Sequence, residues 1–447
     1  VVTAYYLGAF MTMPYQLDNY RFTGMRLYTN LPPCGPKRGH GAIQPRFALE
    51  QHLDRMALQL GLDPATVRQQ NLLPANSQTV NELKITSNGL PECITAVLDA
   101  SGYPQRRGSL GPGRGLGLAV SSYMCGAMHP VYPNDLPHSG VYVQLDRSGT
   151  VTIFSGTADV GQGSNQMLAT VVSQCLGIPE TLCRVLEADT ALTPVDLGSY
   201  SSRVTYMAGN AALQAANTLQ RKLLQAAADE LDVNPSQLEL RDGQLWQGEH
   251  CHSWTDLIAW AEAREGTLGA TGSYRPPRDG ERGNRQRVGP SPAYSFTAQV
   301  AEVNVDLETG VVSVEQIWCA HDLGRVLHHD IAEGQVEGCV YMGVGEALTE
   351  EQTYENGVIR TPSILEYRIP TIHETPPIHT TLVESVDPGG PFGAKEVGEG
   401  PQLSTVPAIA NAIHDATGCW LTNPPFTPDK VLRALRARAR SSDQEQP

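Results

Sequence analysis

Four short segments set polar side chains on glycine-rich backbone, where a ligand can approach the main chain closely. "GPFGAKEVGEGPQ" (Gly390 to Gln402) carries Lys395, Glu396 and Glu399. One carboxylate beside a reacting centre serves as a general base, worth about 10²–10⁴ in rate; the same residues also suit a loop with ordinary surface charges. "DVGQGSNQ" places Gly161 and Gly163 just before a predicted helix start, where main-chain amides bind anions. Gln162 between them offers a neutral donor and acceptor suited to a heterocycle, or is the surface amide of a plain turn. "GSYSSRVTYMAGNAA" gathers Ser199, Ser201, Ser202 and Thr205 at the mouth of a long helix, to cap it or to hold ligand oxygens. "LPPCGPKRGHGAIQP" holds Arg38 and His40 between glycines, an arrangement for gripping a carboxylate or phosphate, or a solvated turn.

The elements that must position these groups are legible in part. "RFALEQHLDRMALQLGLDPATVRQQNLL" predicts two helices, the first stopped by Gly61, the second opened by Asp63 and Pro64. The pattern between Ser77 and Gly117 is weak, which places a boundary near residue 85. Two hairpins follow, turning at Asp146–Gly149 and Glu308–Gly310. After each comes Asp-x-Gly, then Gly-Gln, then a helical stretch, which hints at internal duplication. Long helices are predicted over Thr205–Leu231 and from Pro401 to Ala416, and a short hairpin at Asp242–Gly243. "GPGRGLGLAV" is read as a turn into a strand, and the tail "RARARSSDQEQP" as frayed. Long helices with antiparallel hairpins make the fold class α+β.

Composition narrows the function. The 447 residues carry a formal charge of −15, which argues against nucleic acid as a partner, and no apolar run approaches a membrane span. Gly 43 and Pro 32 exceed the usual share of roughly 12%, so tight turns are many. Nine cysteines without a CxxC pair suit reduced cytosolic thiols and no close-spaced iron–sulfur ligand set; a cytoplasmic location is expected. His250, Cys251 and His252, like His328 and His329, suit exposed turns better than a metal site. No G-x-S-x-G, H-E-x-x-H or P-loop occurs.

Taken in order, "TNLPPCGPKRGHGAIQ", "GTADVGQGSNQ", "GQVEGCVYMGVGEAL" and "GPFGAKEVGEGP" resemble the large, molybdopterin-binding subunit of the xanthine oxidase (molybdenum hydroxylase) family. They span residues 29 to 401. The resemblance implies molybdenum-cofactor-binding domains: residues 1–85 as the C-terminal part of the first, 86–432 as the second, and 433–447 as a flexible tail. It implies that Glu399 is the general base at a Mo–OH group, whose oxygen attacks an electron-poor carbon while hydride leaves for a Mo=S sulfur. Gly161, Gln162, Gly163, Tyr200, Ser201, Ser202, Thr205 and Gln335, with Arg38 and Gly39, match cofactor-holding positions. No side chain of this chain is implied to ligate the metal directly.

Departures shape the expected substrate. Purine-oxidising members read R-G-F-G where this chain has His40 in "RGHG", and their substrate-binding arginine falls on Tyr6. Tyr6, His40 and the stretch Met124–His138 are expected to line the substrate pocket. The "RGHG" and "GPFGAKE" wording is closest to the branch containing 4-hydroxybenzoyl-CoA reductase. The family's earlier half, with its GGGFGGK-like loop, is not found. The resemblance therefore implies a partner chain completing the subunit, an iron–sulfur subunit with 2Fe–2S clusters, an FAD subunit, and a dimer of heteromers. The molybdopterin is implied in mononucleotide or cytosine dinucleotide form.

Overall fold

The computed structural model describes residues 2–33, 35–126, 138–276 and 291–444. Eight strands build its two principal sheets: β1 (Arg114–Met124), β2 (Ser139–Leu145), β3 (Val151–Ser155), β4 (Cys183–Glu187), β5 (Leu268–Tyr274), β6 (Tyr294–Val305), β7 (Val312–Asp322) and β8 (Ile378–Val383). Both hairpin turns use the same chemistry. Asp146 accepts the Ser148 amide at 2.8 Å and Asp306 accepts the Glu308 amide at 2.8 Å, with Gly149 and Gly310 closing the turns at positive φ.

The sheets repeat one plan, in the orders β5-β2-β3-β4 and β8-β7-β6-β1. In each, an antiparallel hairpin (β2–β3, β6–β7) gains a strand parallel to its second member (β4, β8) and one antiparallel to its first (β5, β1). A parallel neighbour demands a crossover, and a helix supplies it both times.

The helices that matter here are α1 (Val2–Met11), α2 (Ile43–Gln59), α3 (Pro64–Gln70), α4 (Leu90–Ser101), α5 (Ser164–Leu176), α6 (Gly209–Leu231), α7 (Trp254–Glu265), α8 (His329–Leu348), α9 (Thr405–Thr417) and α10 (Pro428–Gln444). Crossovers α5 and α8 join the hairpins to their parallel strands, and α6 and α9 then lie across the sheets. Glycines make that last contact close. A Cβ on Gly272 of β5 would collide with the Ala211 carbonyl of α6, and one on Gly117 of β1 with the Ala408 carbonyl of α9. The hint of duplication is thus met in topology and in packing.

The two sheets differ in burial. The second is covered on both faces, by α8 and α9 on one side and by α1 and α4 on the other, so β1 and β6 are buried along nearly their whole length, polar Ser121, Ser122, Thr297, Gln299 and Glu302 included. The first is covered on one face, and β2 alternates buried Val141, Val143 and Leu145 with exposed Tyr142 and Gln144. The residues before 85 share the second sheet's core: Tyr6 and Phe10 pack with Leu118, Val120 and Phe296. A buried charge cluster ties them in. Arg68 of α3 pairs with Glu50 at 2.8 Å and with Asp54 at 2.6 Å, and the Val120 amide of β1 donates to Glu50 at 3.0 Å.

Four differences from the sequence reading have local causes. Helix α4 falls in the stretch read as patternless; Gly89 and Pro91 hide its start, yet Ile94, Val97 and Leu98 make a buried face. The helix expected from Thr205 opens with a π turn, Val204–Ala208, before α6 begins. Gly334–Gln335 lies inside α8 rather than in a loop. Residues 433–444, expected as tail, continue α10, anchored by buried Val431 and by Arg438 donating to the Thr417 carbonyl. No helix among the described residues is long and apolar enough to cross a membrane.

Candidate active site

Four loops leave the carboxyl ends of the strand pairs β3/β4 and β7/β8, and the duplicated plan brings them together. They are 156–163, 188–203, 323–328 and 384–404. With residues 36–40, they enclose a cleft of about 850 Å³. Carboxyl strand ends are where open α/β sheets bind ligands, and the volume falls within the usual 300–1,000 Å³.

Glu399 stands at the base of this cleft, half-buried, and three separate parts of the chain hold it. Its Oε1 accepts the Gly39 amide at 3.0 Å and the Tyr123 hydroxyl at 3.1 Å, while Oε2 accepts the Ser202 hydroxyl at 2.9 Å. Burial pushes its carboxyl above the usual range and Glu396 adds to this, against the opposing pull of the three donors. Such a carboxylate takes a proton more readily than a solvated one. Tyr123 is buried on β1 next to Phe10, and burial beside Glu399 holds its phenol protonated as a donor.

Beneath Glu399, Lys395 and Glu396 set the loop, and neither is a surface charge. Lys395 Nζ pairs with Asp322 at 2.5 Å and donates to Ser385 at 3.0 Å. Asp322 opens the second Asp-x-Gly motif and also accepts the Gly89 and Gly324 amides. Glu396 accepts the Glu399 amide at 3.1 Å and the Ser295 hydroxyl, while its carbonyl lies 2.9 Å from His321 Nε2.

Across the cleft, Arg38 bridges two walls. Its Nε donates to the Gly398 carbonyl at 2.5 Å and its Nη2 to Gln335 Oε1 at 2.8 Å. Gln335 Nε2 has no protein partner among the described residues, nor has Thr205 Oγ1, and both residues line the cleft. Gly161 adds main chain with open space over its Cα, at φ 104°.

Of the sequence-predicted residues, Arg38, His40, Gly161, Gln162, Gly163, Tyr200, Ser201, Ser202, Thr205, Gln335 and Glu399 all border the cleft. Five readings change. Gln162 folds back on its own loop, donating to the Ala158 carbonyl and to Ser164 and accepting the Val160 amide. The amides at the start of α5 are already met by Asp159, which accepts from Gly161, Gly163 and Asn165. No serine of 199–202 caps α6; Ser199 bonds the Ala158 carbonyl and Ser202 bonds Glu399. Tyr6 does not border the cleft: it is fully buried behind His40, ring to ring at 5.5 Å, because α1 turns it into the core. Gly39 also sits behind the wall, supplying only its amide. Residues 127–137 lie outside the described residues. Tyr123 was missed; it is a strand residue among 16 tyrosines and nothing in its neighbours marks it.

Residues 96–376 match the model of a molybdopterin cofactor-binding domain, and residues 1–72 match a second such model. The chain belongs to the molybdopterin-binding domains of the xanthine oxidase family. It is 32% identical over 426 residues to the xanthine dehydrogenase molybdenum-binding subunit of Escherichia coli O157:H7, covering 92% of this chain and 55% of that protein. Nicotine 6-hydroxylase large subunit of Paenarthrobacter nicotinovorans is 29% identical over 434 residues, covering 91% and 52%. The solved aldehyde oxidoreductase of Desulfovibrio desulfuricans superposes with a TM-score of 0.82 at 26% identity, covering 97% of this chain and 45% of that one. The chain spans about half the length of these relatives.

The cleft suits the family's molybdopterin on its own chemistry. A pterin is a flat, nitrogen-rich heterocycle; Gln335 Nε2 and Thr205 Oγ1 are neutral groups without partners among the described residues, and Gly161 lets a ring reach the main chain. Among the described residues no three His, Cys, Asp or Glu side chains gather as a metal site.

Proposed function

We propose that this chain supplies the cofactor cleft and general base of a molybdenum-dependent oxidoreductase that hydroxylates, or reductively dehydroxylates, an aromatic, N-heterocyclic or acyl-CoA substrate. The observation that carries the reading is Glu399: a half-buried carboxylate with raised proton affinity, fixed by three donors and facing a cleft whose lining includes Arg38, Gln335 and Thr205. When bound, the molybdenum–molybdopterin cofactor supplies the two-electron acceptor and activates the oxygen to be inserted.

The chain's residues do the rest. Glu399 accepts the proton released at the reacting oxygen, with Oε1 and Oε2 already oriented, so little reorganisation is needed. Gln335, Thr205 and the Gly161 backbone hold the pterin, while Arg38 fixes Gln335 against the Gly398 loop. Gly163, Tyr200 and Ser201 complete that wall, and Ser202 and Gly39 serve it by holding Glu399. Residues 1–85 belong to the first cofactor domain and 86–432 to the second. Iron–sulfur and FAD subunits of a dimeric cytoplasmic assembly take the electrons.

A relative named for nicotine supports an N-heterocycle as substrate, and one named for xanthine supports a purine; an aldehyde or purine substrate is the second reading. A non-catalytic wall of the same complex is the third. Molybdenum and pterin analysis of the purified complex separates it from the first two. Their absence overturns the catalytic reading, and so does a metal-loaded Glu399→Gln variant with full turnover.

A further inference from the structure

A second carboxylate lies directly beneath the proposed base. Glu396 is 1% exposed; its Oε2 accepts the Glu399 amide at 3.1 Å and its Oε1 accepts the Ser295 hydroxyl of β6. Both oxygens act as acceptors, as those of an ionised carboxylate do. The cations nearby are engaged elsewhere, and among the described residues no lysine or arginine pairs with Glu396. Lys395, the preceding residue, turns away to Asp322 at 2.5 Å and to Ser385 at 3.0 Å. Arg38 is held by the Gly398 carbonyl and Gln335. His321 of β7 is fully buried, with Nε2 4.0 Å from Glu396 Oε1. That nitrogen faces the Glu396 carbonyl at 2.9 Å, Nδ1 faces the Thr297 hydroxyl at 2.8 Å, and burial lowers the proton affinity of the ring, which is neutral at pH 7. The other titratable neighbours, Cys125, Cys339 and Tyr123, are held protonated and uncharged by burial. Gly400 closes the space above: a Cβ there would stand 2.5 Å from Glu396 Oε1 and 3.0 Å from both His321 Cε1 and Ser295 Oγ.

We propose that Glu396 is a positioning residue for Glu399: its buried, unneutralised charge strengthens the base, and its Oε2 fixes the backbone from which the base projects. Two carboxylates in one site disfavour the doubly ionised state, so the one facing the cleft takes up a proton more readily. The pairing of Lys395 with Asp322, rather than with its neighbour Glu396, leaves that charge uncancelled, and the close fit of Gly400 keeps out the water that would screen it. Its catalytic meaning rests on the proposed role of Glu399 as base. A merely structural Glu396 has the opposite signature. Loosening the loop would strip donors from Glu399 and raise its proton affinity, whereas removing a like charge lowers it.

The test is an infrared pH titration of the native complex, in which subtracting the spectrum of the matching Glu399→Gln variant isolates the Glu399 carboxyl band. Glu396→Gln keeps an oxygen for the Glu399 amide and offers Ser295 a donor in place of an acceptor, but carries no charge. In that variant the Glu399 band should titrate about one pH unit lower than in the wild type. An unmoved or raised midpoint would overturn the proposal. Should Glu396→Gln fail to fold, the coupling is read from the other side, because it is reciprocal. The wild-type minus Glu399→Gln difference should then hold a second carboxyl feature, from Glu396 ionising at lower pH once its neighbour is neutral; a Glu399 band alone overturns the proposal. Turnover of the same samples reports separately on the function. A midpoint that falls while the acid limb of the pH–rate profile stays put sinks Glu399 as the base and leaves the coupling standing. An unmoved midpoint sinks the coupling and leaves the base to the turnover of Glu399→Gln.

Discussion

Ser202 and Glu399 are 197 residues apart in sequence and 2.9 Å apart as donor and acceptor. The bond joins the loop after β4 to the loop after β8, the equivalent loops of the two repeats. It therefore links the duplicated architecture directly to the proposed base. Ser201 and Ser202 both adopt left-handed backbone, at φ 52° and 48°, to bring the hydroxyl there. Non-glycine residues seldom occupy that region, and consecutive ones signal a constraint imposed by the site.

The first prediction concerns that bond. Ser202→Ala removes one of three donors to the ionised carboxylate, an interaction of about 1.5–3 kcal/mol, or roughly one to two pH units. Glu399 already has its proton affinity raised by burial, so losing a donor raises it further. A base works deprotonated. The acid limb of the pH–rate profile should move up by about one unit, with the high-pH plateau little changed. An unmoved limb would remove Glu399 from the proton transfer.

Tyr123→Phe tests the same carboxylate from the opposite side, since the Tyr123 hydroxyl donates to Oε1. The ring stays stacked on Phe10, so the fold should persist with a stability loss of about 1 kcal/mol. The acid limb should again shift upward. Combined with Ser202→Ala, the two shifts should fall short of or exceed their sum, because both donors act on one group. Strict additivity in the double-variant profile would count against a shared carboxylate.

Acid unfolding should report on Asp322 and Lys395. Burial alone would raise the Asp322 carboxyl, but Lys395 and the hydroxyl and amide donors hold it below its ordinary range. A depressed folded-state value adds stability above the unfolded aspartate range, and that stability is lost as pH falls through the folded value. Lys395→Met strands a buried charge and should cost about 3–5 kcal/mol at pH 7. Lys395→Met with Asp322→Asn should recover part of this and flatten the acid limb of the stability curve, measured by urea unfolding from pH 7 to pH 3. Equal pH dependence in both proteins would refute the pairing argument.

Much of this frame is legible in the sequence because local chemistry decides it. Asp146–Gly149 and Glu308–Gly310 sit in self-contained turns, and Asp63 caps α3 by accepting the Thr66 amide at 2.8 Å. Glu399 stands out because glycines bracket it. What escapes is set by distant partners. Nothing local tells that Gln162 turns inward, that Asp159 satisfies the amides before α5, or that Tyr123 on β1 reaches the 390–402 loop. Tyr6 illustrates the same limit: its place in the series puts it at the pocket, whereas the direction of α1 puts it in the core.

Arg38 provides the last prediction. It holds Gln335 by Oε1, which leaves the amide nitrogen as the group offered to the cofactor, and it holds the Gly398 carbonyl one residue before Glu399. Lysine has no planar fork and cannot serve both acceptors in this geometry. Arg38→Lys should therefore release Gln335 and lower retained molybdenum and pterin at least fivefold after extended dialysis, with thermal stability of the cofactor-free protein changed by less than about 1 kcal/mol. Gln335→Ala should reproduce the loss of cofactor without disturbing the Arg38–Gly398 bond, so its effect on the pH–rate profile of the remaining loaded enzyme should be absent. Arg38→Lys, which loosens the residue preceding the base, should shift that profile as well. Should both variants keep full cofactor, Gln335 is no part of the pterin site, and the cleft's neutral donors must be sought at Thr205 and the Gly161 backbone instead.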